Sequence, residues 1–201
     1  MPSAHFRSLS KEIKTLGRLY LNFAARPAGD YTARQLSSSA AYTLFCHAEF
    51  ENYFERWAGE ITDIVETSWN SKKATKPLVH LCAFLDARPE VQAIPSKDVW
   101  SEPIVLAIKR QRAAVKANHG IKEQNICRLF APLGYDVRTI DAVLLGDLDA
   151  FGSLRGDYAH GPHGAIVKSG FDPFARKVKA EALMTSIQLL DHDLVAFRDA
   201  V

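Results

Sequence analysis

Cysteine is scarce in this chain of 201 residues. There are three, Cys46, Cys82 and Cys127, far apart and without a Cys-x-x-Cys pairing. That excludes a disulfide framework and a thiolate zinc site, and makes a reducing cytoplasm the expected compartment. Long apolar runs are missing too, so no membrane-spanning helix, which needs about 20 predominantly apolar residues, is expected. The N-terminal stretch mixes charges through every turn and offers no signal-peptide core. Charge of one sign is not in excess either: the formal net charge of +2 neither announces nucleic acid nor forbids it. Also absent are Gly-x-x-x-x-Gly-Lys-Ser/Thr, strand-linked Gly-x-Gly-x-x-Gly, His-Glu-x-x-His and Gly-x-Ser-x-Gly. The common nucleotide hydrolases, dinucleotide enzymes, zinc proteases and serine hydrolases are thereby set aside.

Alternating strand patterns are confined to Ala165-Ile166-Val167, and no internal repeat or low-complexity tract is found. What is present is helical spacing. Leu9, Ile13, Leu16, Leu19/Tyr20 and Phe23 follow the three-four rhythm of one buried face. Arg26-Pro27-Ala28-Gly29-Asp30 breaks the chain. A second, much longer helix runs through Leu36, Ala40, Leu44, His47, Phe50, Phe54, Trp57, Ile61 and Val65, ending at Asn70-Ser71-Lys72-Lys73. Shorter helices are predicted over 76–84, 104–117 and 122–130, with residues 87–102 as a loop. A further helix spans about Arg138 to His160, cut off by Gly161-Pro162, and a last one opens at Asp172-Pro173 and carries to the end. The expectation is one all-α domain over residues 1–201, a helical bundle with one long central helix.

Charge is unevenly placed. Residues 109–128 carry Lys109, Arg110, Arg112, Lys116, Lys122 and Arg128 against Glu123 alone. Residues 136–157 carry Asp136, Asp141, Asp147, Asp149 and Asp157 against Arg138 and Arg155. Two solvated helix faces account for this pattern; so does a basic border to a phosphate-binding surface, with Lys109, Arg112 and Lys116 as candidate ligands.

The polar group at the end of the Arg138–His160 helix, Phe151-Gly-Ser-Leu-Arg155-Gly-Asp-Tyr-Ala-His160-Gly-Pro-His163-Gly, has two chemical readings. Asp157, His160 and His163 stand at three-residue steps, and two histidines with a carboxylate can hold a divalent ion. Pro162, however, interrupts the helix between the histidines. The other reading is the pair Arg155 and His160. Five residues turn about 140° round an α-helix, so the two converge only if His160 swings at the helix end or a second copy supplies the other half. The spacing by itself is unspecific, and Arg112 with His119 is a looser decoy. A purely structural account pairs Arg155 with Asp149 or Asp157 and leaves His160 as a C-terminal cap.

Several segments together resemble the HEPN ribonucleases, in particular the RiboL-PSP-HEPN branch. They are His119-Gly-Ile-Lys-Glu-Gln-Asn-Ile, Pro132-Leu-Gly, Leu145-Gly-Asp-Leu, Phe151-Gly-Ser-Leu-Arg-Gly-Asp-Tyr-Ala-His-Gly and Phe45-Cys-His-Ala-Glu-Phe-Glu-Asn-Tyr-Phe-Glu. The resemblance implies an all-α, usually dimeric domain whose Arg-x-x-x-x-His motifs meet across a two-fold axis and cut RNA without a metal ion or other cofactor. Arg155 and His160 match the two catalytic positions. Many relatives carry a polar residue straight after the arginine, where this chain has Gly156, leaving Asp157 as the nearest orienting group. Pro162 stands where one subgroup carries a tyrosine controlled by nucleotidylation, so that control is not expected. Such proteins are commonly toxins or phage-defence effectors, and an antitoxin or regulatory protein is a further implied partner.

The chemistry suits these residue types. RNA supplies its own nucleophile, the 2′-OH, so the enzyme mainly transfers protons and stabilises charge on phosphorus. Histidine titrates near neutrality and arginine's fork binds two phosphate oxygens. The product is a 2′,3′-cyclic phosphate, and DNA, lacking the hydroxyl, survives. His163 either assists or caps. His47, on the apolar stripe, reads first as a satisfied core histidine. Glu49 and Glu51 read as exposed carboxylates that can orient the site. Trp57 reads as packing, and Trp69 and Trp100 as candidates for stacking on bases. Two alternatives stand beside the nuclease: a non-catalytic HEPN-like module binding RNA or protein, and a metal-dependent hydrolase using Asp157, His160 and His163.

Overall fold

Thr32 begins the element around which everything else is arranged. Its side chain accepts from the Gln35 N–H at 3.3 Å while Gln35 Oε1 accepts from the Thr32 N–H at 2.9 Å, a reciprocal capping box. The helix it opens, α2, runs Ala33–Asn70, 38 residues, or about 57 Å at 1.5 Å per residue. The computed structural model describes residues 1–27, 29–84, 101–160 and 172–201, with the backbone alone at 156–160. The other helices are α1 (Ala4–Tyr20), α3 (Lys76–Phe84), α4 (Ser101–Lys116), α5 (Glu123–Phe130), α6 (Ala142–His160) and α7 (Pro173–Asp199). Two 3-10 turns, Ala131–Leu133 and Val137–Thr139, link α5 to α6. The chain is an all-α helical bundle, with no strand among the described residues.

α2 packs against each of the other six helices. Its buried set, including Cys46, Phe50, Tyr53, Phe54, Trp57, Ile61 and Val65, wraps most of its circumference. A surface helix buries one stripe; a helix buried on several sides is the centre of the core. Aromatic rings tie the layers together edge to face: Phe50 on Phe151 at 5.5 Å, Phe54 on Phe130 at 6.4 Å, and Tyr135 on Phe197 at 5.2 Å. Trp57 is fully buried, as its spacing predicts.

Boundaries differ from the periodic pattern where local chemistry intervenes. α1 ends at Tyr20, short of Phe23, whose ring instead packs on Tyr31 and Phe174 at 6.0 and 5.9 Å. Its apolarity serves the α1–α2 linker rather than a helix face. α6 starts at Ala142 rather than near Arg138, because Asp136 accepts from both the backbone and the guanidinium of Arg138 and closes a 3-10 turn there. Asp141 Oδ1 then accepts from the Val143 N–H at 2.9 Å at the start of the helix. Asp172 caps α7 through the Phe174 N–H at 2.9 Å, with Pro173 in the first turn. The predicted loop at 87–102 and Trp100 lie mostly or wholly outside the described residues, as does Ala165-Ile166-Val167; Ser101 and Glu102 already belong to α4.

One buried carboxylate joins three elements. Asp191 of α7 is wholly inaccessible and accepts four hydrogen bonds. They come from the Ser3 N–H (2.8 Å), the Ser3 hydroxyl (2.6 Å), the Tyr53 hydroxyl (3.0 Å) and Trp57 Nε1 (3.2 Å). Ser3 Oγ also accepts from the Phe6 N–H at 3.0 Å and so caps α1. Removing the carboxylate strands several buried donors at once, each costing about 1–3 kcal/mol. Asp191→Ala is therefore expected to lower the unfolding free energy in urea at pH 7 by about 3–5 kcal/mol. Asp193→Ala, at an exposed position of the same helix, should change it by less than about 0.5 kcal/mol. Equal losses in the two variants would refute the assignment.

Candidate functional site

Phe151 fixes where the end of α6 meets α2. It is buried and packs edge-on against Phe50, setting the register of the two helices. One turn further along α6 comes Arg155, partly buried. One turn before it, the α4–α5 turn crosses the helix at Gly152. A Cβ there would stand 3.2 Å from Lys122 Cγ and 3.6 Å from Ile121 Cγ1, so only glycine admits so close a crossing without displacing Lys122. Asp149, another turn back, accepts from the Glu123 N–H at 2.8 Å and holds the start of α5 onto α6. Asp149, one of the two partners that the sequence offered to Arg155, is thus bonded to a backbone group.

The side chains that Arg155 does face come from α2. His47 is 3% exposed, with Nδ1 at 3.4 Å from Glu51 Oε2 one turn on. Burial, and then the positive charge of Arg155, push its pKa down to about 4. At neutral pH the ring is therefore uncharged, and its contact with Glu51 is that of a dipole with a carboxylate rather than an ion pair. Glu51 is held above the ordinary carboxylate value, first by burial and then by Glu55, against the opposing pull of Arg155 and His119. Glu55 Oε1 accepts from Asn118 Nδ2 at 2.9 Å, and Asn118 Oδ1 accepts from Asn125 Nδ2 at 3.1 Å. His47, Glu51 and Glu55 thus form a polar stripe at four-residue steps on α2, facing Arg155 on one side and the His119–Asn118 turn on the other.

The predicted site residues separate on this frame. His160 is the last residue of α6 and Asp157 lies one turn before it; their side chains, like His163 altogether, fall outside the described residues. The arrangement of Asp157, His160 and His163 as metal ligands lies outside them as well. Among the described residues no group of three His, Cys, Asp or Glu is placed to hold a metal ion. Lys109 and Lys116 are exposed on α4, and Lys116 ends that helix two residues before Asn118. Arg112 is different: its guanidinium bonds to Asp63 at 2.7 Å and to Glu66, which raise its pKa. Both carboxylates lie two to four turns beyond Glu51 and Glu55 along α2, so Arg112 fastens α4 to α2 well away from Arg155. Its decoy partner His119 sits instead beside Glu51.

Glu49 points elsewhere. Burial and the charge of Glu12 on α1 raise its pKa, while Arg56 opposes, so it belongs to the α1 side of α2. Trp69 is partly buried and lies under Lys72 Nζ at 5.8 Å. The residues to which sequence reasoning gave no role are Glu55, Asn118 and Asn125. A signal for the first was present: polar residues at 47, 51 and 55 recur at four-residue steps and so share one face of the helix.

A buried neutral histidine makes stability depend on pH. The unfolded ring binds a proton below about 6.5 and the folded one only below about 4, so the unfolded state takes up protons first as the pH falls. The stabilisation is complete above pH 6.5 and is lost on acidification through that window, by about 3 kcal/mol at pH 4. Glu49 and Glu51, with raised pKa values, act in the opposite sense, so the difference between wild type and His47→Gln isolates the histidine. Urea unfolding from pH 7 to pH 4 should show the wild type losing stability faster than His47→Gln. Parallel curves would show that the ring is not held neutral.

Compared with protein-family models, with curated proteins and with solved structures, the chain matches none.

Proposed function

We propose that this protein is a metal-independent endoribonuclease of HEPN type, acting in the cytoplasm as a toxin or phage-defence effector. Two copies pool their Arg155 and His160 side chains around one phosphodiester. Arg155 binds and neutralises the phosphate; the His160 of one copy takes the proton of the 2′-OH as it attacks phosphorus, the P–O5′ bond breaks, and the partner subunit's His160 gives a proton to the departing 5′ oxygen, leaving a 2′,3′-cyclic phosphate and a 5′-hydroxyl. Lys109 and Lys116 guide the RNA backbone by charge. An antitoxin or regulatory protein keeps the activity in check.

One observation supports the reading above the others. Arg155 stands near the end of α6, the helix that closes with His160, and faces the one stripe of α2 that presents a histidine and two carboxylates together. A permanent cation in partly dehydrated surroundings is what a transferring phosphate requires.

A second reading, a non-catalytic module that binds RNA or protein, draws on a different feature of the same stripe. Glu51 offsets the charge of Arg155 within the chain, which gives the arginine a structural reason to be there. A metal-dependent hydrolase built on Asp157, His160 and His163 is the third.

One assay separates them: labelled RNA incubated with the purified protein, with and without EDTA, beside Arg155→Ala and His160→Ala. The nuclease reading expects cutting that survives EDTA and falls by roughly 100-fold or more in each variant, with DNA of the same sequence untouched. Cutting abolished by EDTA assigns the metal enzyme. RNA or protein binding without cutting assigns the module.

A further inference from the structure

On the opposite side of α2 from Arg155, a groove of about 950 Å³ opens between α1 and α7. Tyr42 of α2 lies against its floor, and from Tyr42 to His47 the helix turns by about 140°, so the groove and the Arg155 stripe do not share a face. The floor is apolar, formed by Ile13 and Leu21 of the α1 segment, the Tyr42 ring and Met184 of α7. Burial and the neighbouring Cys46 push the Tyr42 phenol above its ordinary value, so the floor carries no charge.

The rim is cationic. Lys14 and Arg18 sit one turn apart on α1 and Lys177 faces them from α7. Like charges four residues apart destabilise a helix. The acid among the lining residues is Glu181, which stands 3.8 Å from Lys177 on its own helix. Lys14 and Arg18 both line the groove, with no carboxylate of α1 among its lining residues, and the Arg18 guanidinium donates to Thr15 Oγ1 at 3.1 Å on its own helix.

Gly17 supplies an independent observation. It lies inside α1, lines the groove, has an ordinary helical φ, and a Cβ built on it would touch nothing within 4 Å. Glycine in a helix interior costs about 1 kcal/mol relative to alanine. Neither backbone conformation nor packing among the described residues explains why that cost is carried. A side chain there would project into the groove between Lys14 and Arg18.

We propose that this groove binds a small amphiphilic anion, its acidic head held by Lys14, Arg18 and Lys177 and its apolar body lying over Gly17 onto Ile13, Tyr42 and Met184. The volume suits a ligand of that class. The site is independent of the nuclease reading and neither requires nor tests it.

The probe is anilinonaphthalene sulfonate, an aromatic anion whose fluorescence rises in apolar surroundings, titrated into the full-length protein beside its uncharged analogue phenylnaphthylamine. One sulfonate is expected per chain, bound at least about tenfold more tightly than the uncharged analogue. The double variant Lys14→Ala/Arg18→Ala should weaken the sulfonate about tenfold or more, and Gly17→Leu should block it. Because leucine is a better helix former, Gly17→Leu should also raise the thermal midpoint, which shows that the fold is intact. Binding that is equal for the two probes, or unchanged in the variants, overturns the proposal. So does a Gly17→Leu protein with a lowered midpoint, since the position would then be packed rather than open.

Discussion

A carboxylate sealed inside a bundle needs donors from several elements at once, and the fold of this protein is organised so that Asp191 has them. Ser3 ahead of α1, Tyr53 and Trp57 on α2, and Asp191 on α7 are brought to one point. The same region gathers further polar contacts around Trp57. His5 packs edge-on against the indole at 4.9 Å, Arg198 lies over it at 5.7 Å, and both reach Glu60. Hydrophobic burial brings α1, α2 and α7 together without choosing a register. The directional bonds to Asp191 choose it, since a shift of one turn on any helix leaves a buried charge with missing partners.

α2 can carry this because it is long and central. Around its axis, Tyr53 and Trp57 stand roughly 160° and 120° from Glu51, so its two buried polar groups fall on different sides. One side is closed: Asp191 Oδ1 accepts three hydrogen bonds and Oδ2 one. The other side is built differently: a ring kept neutral by burial, a carboxylate raised above its usual value, and an arginine arriving from another helix. The first side is satisfied by hydrogen-bond donors alone, the second by a permanent cation set beside a carboxylate.

Helices were legible in the sequence because their apolar periodicity is a local property. α2 reads correctly from Leu36 to Val65, and the cap-and-proline opening of α7 reads to the residue. The errors have local causes as well: Phe23 continues the rhythm of α1 but packs on Tyr31 and Phe174 after the helix has ended, and Arg138 is drawn into a turn by Asp136. The site was less legible. Arg155 stands out by its setting among glycines, and His47 is correctly read as buried. Their proximity is a consequence of how α2 and α6 pack, fixed by Phe50 against Phe151, and no spacing within either helix encodes it. Arg112 shows the same limit in reverse. It belongs to a basic run in sequence, and the fold gives it to Asp63 and Glu66. Asp191 sits beside Ile187, Leu190 and Leu194 on a buried stripe, an acid in an apolar place, but its partners come from the far end of the chain.

The electrostatics of the Arg155 stripe also constrain how an anion would enter it. Glu51 and Glu55 lie on the same stripe, and His47 contributes no charge at neutral pH, so this part of the surface does not attract phosphate by its net charge. An arriving phosphate repels the Glu51 carboxylate and competes with it for the Arg155 guanidinium. Asn118, itself held by Asn125, donates to Glu55 and keeps that carboxylate engaged within the chain, so the carboxylate an anion meets beside Arg155 is Glu51.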